Sequence, residues 1–404
     1  MPASIPALVN PAVLKWARKE SGYGPEQAAK RAGVSPEKLL AWEEEEGLAK
    51  PTLRQAQALA KFYHRQLGVF FLPQPPSLPP LAAEYRRLPG IEPGSESPEL
   101  RLALRVMSRR REVALQLSGE LDHSVPEFNL ALHPSQFPVP AAARLRSVLG
   151  VTPEEQLKWA NEWQAWRHLR EAVEGIGALV FQFPKVDLTQ VRGVALPLFP
   201  LPAIGINSKE SSAAARSYTL IHELVHIALV FGHEEDVALR EHRSKASWQE
   251  IERFAEEAAS AVLIPEEMLN GFLGKMSVQR DAWDVSLVRK LAYTFRVTPL
   301  AMATRLRSAG ALTWNGYKLW KRHWDAYVAT LTPRKGGFAS PAEKTLSRAG
   351  RPFTQLVLEA LDANRITSVD ASRYLDLRFD HLHDLRRELS KGSGTGFGSG
   401  DDGD

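Results

Sequence analysis

The chain has 404 residues, a net charge of +4 and no cysteine. Its length exceeds one ordinary hydrophobic core, so two to four domains are expected. Without cysteine there is no disulfide framework and no thiolate metal site, so a transition-metal site must use histidine and carboxylate ligands. The first residues lack the order of a secretory signal, and no apolar run approaches the roughly 20 residues of a membrane span. These features predict a cytoplasmic protein without membrane contact.

Residues 11–72 are predicted to form four or five short helices around a small core. Pro11 stands at a plausible first helical position, and Gly33 is placed to end the second helix. In the run SPEKLLAWEEEE, Ser35 is the expected N-cap, so a third helix should extend from Pro36 through Glu46. Residues 73–98 are rich in proline, glycine and serine, which predicts an extended linker.

This layout resembles the Cro/repressor-like (XRE) helix-turn-helix domain over residues 1–72. The resemblance rests on Ala28-Ala29, Gly33-Val34-Ser35, Trp42-Glu43 and Pro51-Thr52. It implies that the third helix enters the major groove of double-stranded DNA. The expected exposed positions are Ser35, Pro36, Glu37, Lys38 and Ala41. Because Glu43–Glu46 would repel phosphate at the far end of that helix, a module that makes only protein contacts is the alternative.

A strongly basic stretch follows the linker. Residues 100–115, LRLALRVMSRRREVAL, combine apolar residues at helical spacing with five arginines: Arg101, Arg105, Arg109, Arg110 and Arg111. The simpler interpretation is an amphipathic helix with a solvated basic face. The alternative is a surface that contacts phosphate or a protein partner.

Three strand-like runs occupy 178–183, 193–199 and 203–207, where Pro197, Pro200 and Pro202 predict at least one edge strand. Beyond them, residues 283–310 look like a second helix-turn-helix pair, and 351–390 predict two more helices. The final segment is composed of glycine, serine and aspartate and is expected to be disordered.

The most specific pattern is His222-Glu223-Leu-Val-His226, in a helix of mainly apolar residues that Gly232 is placed to end. Residues i and i+4 share one helix face, so His222 and His226 can direct both imidazoles at one metal ion. Glu223 is rotated away from them and can reach a water molecule beside the metal as a general base. The alternative is a histidine pair that neighbouring carboxylates satisfy.

A catalytic zinc usually has a third protein ligand. His233 and Glu234 lie just past the helix, but the spacing does not fit the metzincin pattern. A better source is the helix predicted from Ser247, which forms a capping box with Glu250, to just before Pro265. There Glu252 shares a face with Ala255 and Ala259, whose small side chains permit close helix packing. Glu256, one turn on, is either a rival ligand or an acceptor for a ligand imidazole N–H.

The chain resembles the ImmA/IrrE family of bacterial metallopeptidases, in the group with an N-terminal XRE domain. The residues that carry the resemblance are Asn207, Arg216, Tyr218 and Thr219, the His-Glu-x-x-His run, and AVLIP at 261–265. In the family, a glutamate thirteen residues before this proline is the third ligand, and the same count from Pro265 gives Glu252. Glu256 stands where the family commonly has asparagine.

The resemblance implies a multidomain, mainly α protein. Residues 99–275 would form an α+β zincin-like metallopeptidase core, with a small sheet beside the helix that carries the motif. The remaining regions would be the all-α helix-turn-helix domain at 1–72, a helical C-terminal region at 276–390 and a disordered tail at 391–404.

The implied activity is that of an endopeptidase with one catalytic Zn²⁺. Glu223 is the base, and Tyr218, Arg216 and His233 are candidates for stabilising the oxyanion. The strand at 203–207 is expected to be an edge that pairs with an extended substrate.

The family implies a helix-turn-helix repressor or antitoxin as the substrate, whose cleavage derepresses a stress, phage or mobile-element operon. The alternative is a DNA-binding regulator or antitoxin-like protein without proteolytic activity, whose metal site is structural or sensory. The oligomeric state is left open, with a dimer as one option.

Overall fold

The computed structural model describes residues 5–45, 47–77, 96–210, 212–232, 245–276, 278–331 and 339–391, with the side chains of 245–248 left out. The chain divides into two compact units, Met1–Val106 and Met107–Asp404. A long helix, Pro98–Glu120, contains the boundary between them. Within the described ranges, no helix is both long enough and apolar enough to cross a lipid bilayer.

Among its described residues, the first unit contains four short helices: α1 (Pro11–Glu20), α2 (Pro25–Ala32), α3 (Pro36–Trp42) and α4 (Leu53–Phe62). A 3₁₀ helix, Leu67–Phe71, follows them. Side chains of Asn10, Ser35 and Thr52 cap α1, α3 and α4. Gly33 ends α2 with a left-handed backbone, φ 70°, which glycine adopts without a steric penalty. The predicted positions of Pro11, Gly33 and Ser35 are confirmed.

The predicted end of the third helix is wrong. Helix α3 ends at Trp42, and Glu43 caps it instead of continuing it toward Glu46. The Glu43 carboxylate is buried and accepts two hydrogen bonds from Arg18 of α1, at 2.7 and 2.8 Å. The two residues lie far apart in sequence, so helical periodicity could not reveal their contact. Glu43 therefore does not belong to the expected group of surface carboxylates.

The second unit contains a three-stranded mixed sheet in the order β1-β3-β2, made of β1 (Leu179–Phe183), β2 (Gly193–Leu196) and β3 (Ala203–Asn207). Strand β3 pairs parallel to β1 and antiparallel to β2. All residues of the three strands are buried, as in a sheet covered on both faces.

The expectation that 203–207 forms an edge strand is wrong, because β3 is the central strand. Pro197, Pro200 and Pro202 lie in the loop between β2 and β3 and not within a strand. Proline in a connecting loop carries no information about which strand is at the edge. An extended substrate therefore cannot add to the sheet through β3.

Helices surround this sheet. Before it come α5 (Pro98–Glu120), α6 (Pro138–Leu149), α7 (Pro153–Lys158) and α8 (Glu162–Gly175). After it come α9 (Ala213–Phe231), α10 (Lys245–Leu263), α11 (Glu266–Lys275), α12 (Val285–Phe295), α13 (Pro299–Ser308) and α14 (Trp314–Ala329). The last are α15 (Pro341–Ala349), α16 (Arg351–Asp362), α17 (Ser368–Leu375), a 3₁₀ turn at Phe379–His381 and α18 (Leu382–Lys391).

The helices that carry the motif and its neighbours share one hydrophobic core with the sheet. It contains apolar residues of α6, α8 to α10 and α12 to α14, together with the inner faces of the sheet. Gly232 caps α9 as predicted. Helix α10 begins at Lys245, so the predicted start after Ser247 is wrong, whereas its end before Pro265 is confirmed.

Candidate metal centre

Helix α9 carries the central motif. The Ser212 hydroxyl accepts a hydrogen bond from Ala215 N at 3.1 Å and so caps the helix. Thirteen of its residues are buried, including Glu223 and His226, which are 6% and 3% exposed. Polar groups at such depth are costly unless they are paired or bind a ligand. Their presence in an otherwise apolar helix therefore requires a chemical reason.

Three donor groups converge at this point: the imidazoles of His222 and His226 and the carboxylate of Glu252. The two histidine Nε2 atoms are 3.1 Å apart. Glu252 Oε2 lies 3.5 Å from His222 Nε2, and its Oε1 lies 3.8 Å from His226 Nε2. Each residue offers one ligand atom, all within 4.8 Å of one another.

These distances fit a metal ion better than a hydrogen-bonded cluster. Ligand atoms at about 2.0–2.1 Å from a tetrahedral zinc are roughly 3.3 Å from each other. Both distances from Glu252 to the imidazoles exceed the usual hydrogen-bond range of about 2.7–3.2 Å. Two imidazole nitrogens and a carboxylate oxygen are also a donor set that zinc prefers. The residues present therefore fit a divalent metal ion.

Small side chains on α10 allow this helix to pack close to α9, which places Glu252 beside the histidines. Ala255, Ala258 and Ala259 are fully buried, so the backbones of α9 and α10 can approach closely. The C-terminal end of α10 is held by three side chains from other helices. Arg146 donates to Val262 O, Gln156 to Leu263 O and Arg305 to Ile264 O, at 2.7, 2.7 and 3.1 Å. These bonds satisfy carbonyls that a helix end leaves unpaired and so fix the position of α10.

Glu223 packs against the end of strand β2. A Cβ atom at Gly193 would overlap the Thr219 methyl group and would lie 2.9 Å from Glu223 Cγ and 3.0 Å from its Oε1. Only glycine therefore leaves room for the carboxylate at this contact. Sequence reasoning did not identify Gly193 as a site residue. Its place in the run VRGVAL, among the strand-forming residues, was the available signal.

The two oxyanion candidates on α9 have different surroundings. Arg216 donates to the carbonyls of Ser208 and Glu210, at 3.1 and 3.3 Å, and lies over the Trp163 ring. It is thus engaged in holding the loop before α9. The Tyr218 ring lies 6.3 Å from that of His222, and its hydroxyl donates to Glu256 O at 3.3 Å. His233 and Glu234 lie outside the described residues.

Glu256 is not part of the three-residue group and faces a different set of neighbours. Burial raises the pKa of its carboxyl, and the Arg307 guanidinium opposes this rise. Burial also raises the pKa of the Tyr218 phenol, with smaller contributions from Glu256 and Tyr317. Arg307 in turn lies over the rings of Trp314 and Tyr317, at 5.3 and 5.9 Å. Arg307 and Tyr317 thus influence the pKa of Glu256 and of Tyr218 respectively, and neither was predicted.

The candidate DNA-contacting residues belong to the first unit. Ser35, Glu37 and Lys38 are exposed on α3, whereas Pro36 and Ala41 are half-buried. Ser35 also accepts a hydrogen bond from Lys38 N at 3.4 Å as the N-cap. The charges that α3 exposes are therefore one carboxylate and one ammonium group.

Comparison with known proteins finds a family match in the segment that contains the candidate metal centre. Residues 174–307 match the family model Peptidase_M78, described as the IrrE N-terminal-like domain. The match includes the three strands, α9 and α10, and therefore all of His222, Glu223, His226 and Glu252. A comparison with curated proteins returned no match. Together with the converging donors, the family match supports a metallopeptidase of the ImmA/IrrE type in this segment.

Proposed function

We propose that the chain is a zinc-dependent endopeptidase with His222, His226 and Glu252 as metal ligands and Glu223 as general base. The observation that carries the proposal is the convergence of three donor groups beside a buried glutamate. A glutamate as third ligand corresponds to the gluzincin arrangement. A purely structural metal site has no use for an additional carboxylate at the position of Glu223.

Zinc in this site would supply a Lewis acid that polarises the scissile carbonyl and lowers the pKa of a water molecule. Glu223 would accept a proton from the attacking water and transfer it to the departing amine. Its packing against Gly193 limits the positions that the carboxylate can take. Tyr218, whose raised pKa keeps it protonated, could donate to a substrate oxygen only after leaving the Glu256 carbonyl.

The substrate that we propose is a helix-turn-helix repressor or antitoxin, whose cleavage would derepress a stress, phage or mobile-element operon. This follows from the resemblance to the ImmA/IrrE family. The first unit supports it indirectly, since α2 and α3 are joined by a tight left-handed turn at Gly33, as in DNA-binding helix pairs. Through Ser35, Pro36, Glu37, Lys38 and Ala41, this unit would bring the protease to double-stranded DNA.

The test is incubation of the zinc-loaded full chain with a helix-turn-helix repressor encoded in the same operon. We expect a discrete cut that maps to one peptide bond and that is lost in Glu223→Gln while the metal is retained. A metal-loaded protein that cuts no such repressor but binds operator DNA would favour the regulator without proteolytic activity.

A further inference from the structure

A buried asparagine joins the central strand of the sheet to the loop that precedes β2. Asn207 is the last residue of β3 and is fully buried. A buried amide is costly unless its polar atoms meet partners. Its Nδ2 group donates to Val186 O and Val191 O at 3.1 and 2.9 Å, and its Oδ1 accepts a hydrogen bond from Lys209 N at 3.0 Å. The side chain thus joins the end of β3 to both arms of the β1–β2 loop, residues 184–192.

The backbone of Asn207 makes two further bonds at the same place. Its N–H donates to Arg192 O at 2.8 Å, and its carbonyl accepts a hydrogen bond from Glu210 N at 3.1 Å. The Arg192 guanidinium donates to the Glu210 carboxylate at 2.9 Å, and Glu210 is buried. Arg192, the residue before β2, is therefore held to the end of β3 through its main chain and through its side chain.

The residue after Arg192 is Gly193, which begins β2 and packs against α9. A Cβ atom at Gly193 would overlap the Thr219 methyl group and would lie 2.9 Å from Glu223 Cγ. Carbon atoms in van der Waals contact are about 3.5–4.0 Å apart, so the backbone of β2 lies directly against the Glu223 side chain. A shift at the start of β2 therefore changes the positions that Glu223 can take.

The segment after β3 also bonds to the beginning of α9. Arg216 of α9 donates to Ser208 O and Glu210 O at 3.1 and 3.3 Å. Ser208 N donates to Phe183 O, at the end of β1, at 3.0 Å. Residues 207–210 are thus bonded to β1, to the start of β2 and to α9. Because the same short segment holds β2 and α9, their separation at the Gly193 contact depends on it.

The tip of the β1–β2 loop is closed by a separate set of bonds. Asp187 Oδ1 accepts hydrogen bonds from Thr189 N and Thr189 Oγ1, at 2.8 and 2.7 Å, and both residues are exposed. Asp187 O accepts hydrogen bonds from Gln190 N and Val191 N, at 3.1 and 3.3 Å. These bonds give the tip its shape, whereas the bonds of Asn207 join the loop to the sheet.

We propose that Asn207 is a positioning residue for Glu223, the general base of the proposed peptidase, and this role rests on that function. The Asn207 amide fixes the β1–β2 loop and hence the start of β2, so that Gly193 lies against the Glu223 side chain. A general base must lie within about 2.6–3.2 Å of the group whose proton it accepts, so a small displacement slows proton transfer. Asn207 is not one of the three converging metal ligands, so zinc binding should be retained without its amide.

The first measurement compares kcat, KM and zinc content of Asn207→Asp with the wild-type full chain. Aspartate keeps the size of the side chain and the acceptor for Lys209 N, but it replaces the amide donors to Val186 O and Val191 O by an oxygen. We expect kcat for repressor cleavage to fall at least about tenfold, because a small misplacement of a catalytic group is costly. KM and zinc content should match the wild type.

Gln182→Glu is the matched control. Gln182 is also a buried amide of the sheet, and its Nε2 donates to Ser347 Oγ at 2.9 Å. It belongs to β1, which lies on the opposite side of β3 from β2. We expect this variant to keep the wild-type kcat even where it lowers the stability of the chain. The difference between the two variants separates positioning of the base from general support of the sheet.

Amide hydrogen exchange gives a readout that does not depend on turnover. We expect Asn207→Asp to speed exchange at 186–194 and Gln182→Glu to leave exchange there as in the wild type. Asp187→Ala covers the case in which Asn207→Asp does not fold, because Asp187 is exposed and its side chain bonds at the loop tip. It should speed exchange in the same segment and lower kcat by a smaller factor, with KM unchanged.

A double-mutant cycle tests whether Asn207 acts through Gly193. If it does, Asn207→Asp should add little to the loss of kcat in Gly193→Ala, so the two losses are not additive. Among the variants of Asn207 and Asp187 that fold, unchanged exchange at 186–194 or a wild-type kcat would overturn the proposal. Additive losses in the cycle, or an equal loss of kcat in Gln182→Glu, would overturn it as well. A zinc-loaded wild-type chain that cleaves no repressor would instead contradict the peptidase function.

Discussion

Helices α9 and α3 both carry motifs that resemble known functional elements, but they hold their polar residues in different ways. On α9, Glu223 and His226 are buried; Glu252 of α10 lies beside the His226 imidazole, and Gly193 of β2 packs against Glu223. On α3, the candidate residues Ser35, Glu37 and Lys38 are exposed. Burial forces polar groups to find a defined partner, so geometry can test the α9 motif. Exposed groups on a short helix are solvated in any arrangement, so only binding experiments can test the DNA-binding role of the α3 motif.

The largest effect is expected on α9. Glu223→Gln removes the proton acceptor but keeps the shape of the side chain, so kcat should fall by about 10²–10⁴-fold. Zinc content should remain the same, because Glu223 is not one of the three converging ligands. The measurement is repressor cleavage followed by mass spectrometry, together with metal analysis. A variant that retains activity would remove Glu223 from the proposed role.

An effect of comparable free energy is expected at the buried ion pair between Arg18 of α1 and Glu43, the residue that caps α3. Glu43→Gln leaves the Arg18 guanidinium buried with a neutral partner, so the free energy of unfolding of the first unit should fall by about 3–5 kcal/mol. Denaturant unfolding followed by the fluorescence of the first unit would measure it. The exposed Glu44→Gln is the control and should change stability by less than about 0.5 kcal/mol.

A smaller effect is expected where β2 meets α9. Gly193→Ala places a methyl group against Thr219 and Glu223, which should cost about 1–3 kcal/mol of stability and displace the base. The fall in kcat should exceed the change in KM. Gly119→Ala is the control, because a Cβ there meets nothing within 4 Å and alanine favours the helix. Equal activity of the two variants would show that Gly193 does not position Glu223.

The smallest effect is expected on the exposed face of α3. Lys38→Ala should leave the stability of the chain within about 0.5 kcal/mol of the wild type, because the side chain is exposed. If α3 contacts DNA, the same change should weaken operator binding and reduce its salt dependence by about one phosphate contact. Unchanged DNA affinity and salt dependence would favour the module that makes only protein contacts.

These contrasts explain how much could be predicted from sequence. The positions of His222, Glu223 and His226 follow from helical spacing within one turn, and Glu252 follows from the family resemblance and a count from Pro265. Gly193 was missed because its contact with Glu223 depends on how a strand packs on a helix thirty residues later. The expectation of an edge strand at 203–207 failed for a similar reason, since neither pairing partner of β3 is fixed by local residue pattern.

The errors in the first unit have the same origin. Helix propensity favours a continuous helix through the glutamates after Trp42, but Glu43 instead turns inward to Arg18. The arginines of α5 look alike in sequence, yet Arg110 and Arg111 donate to carbonyls of the second unit. Sequence spacing identifies which residues share a helix face, and only the packed chain shows which acceptors they meet.

Binding of one zinc ion by His222, His226 and Glu252 can be tested by metal titration of matched glutamate variants. Glu252→Gln and Glu256→Gln change neighbouring turns of α10, but only Glu252 lies within reach of both imidazoles. We predict one zinc per chain in the wild type and in Glu256→Gln, and at least a tenfold loss of zinc affinity in Glu252→Gln. Full zinc affinity in Glu252→Gln, with loss of zinc in Glu256→Gln, would contradict this assignment.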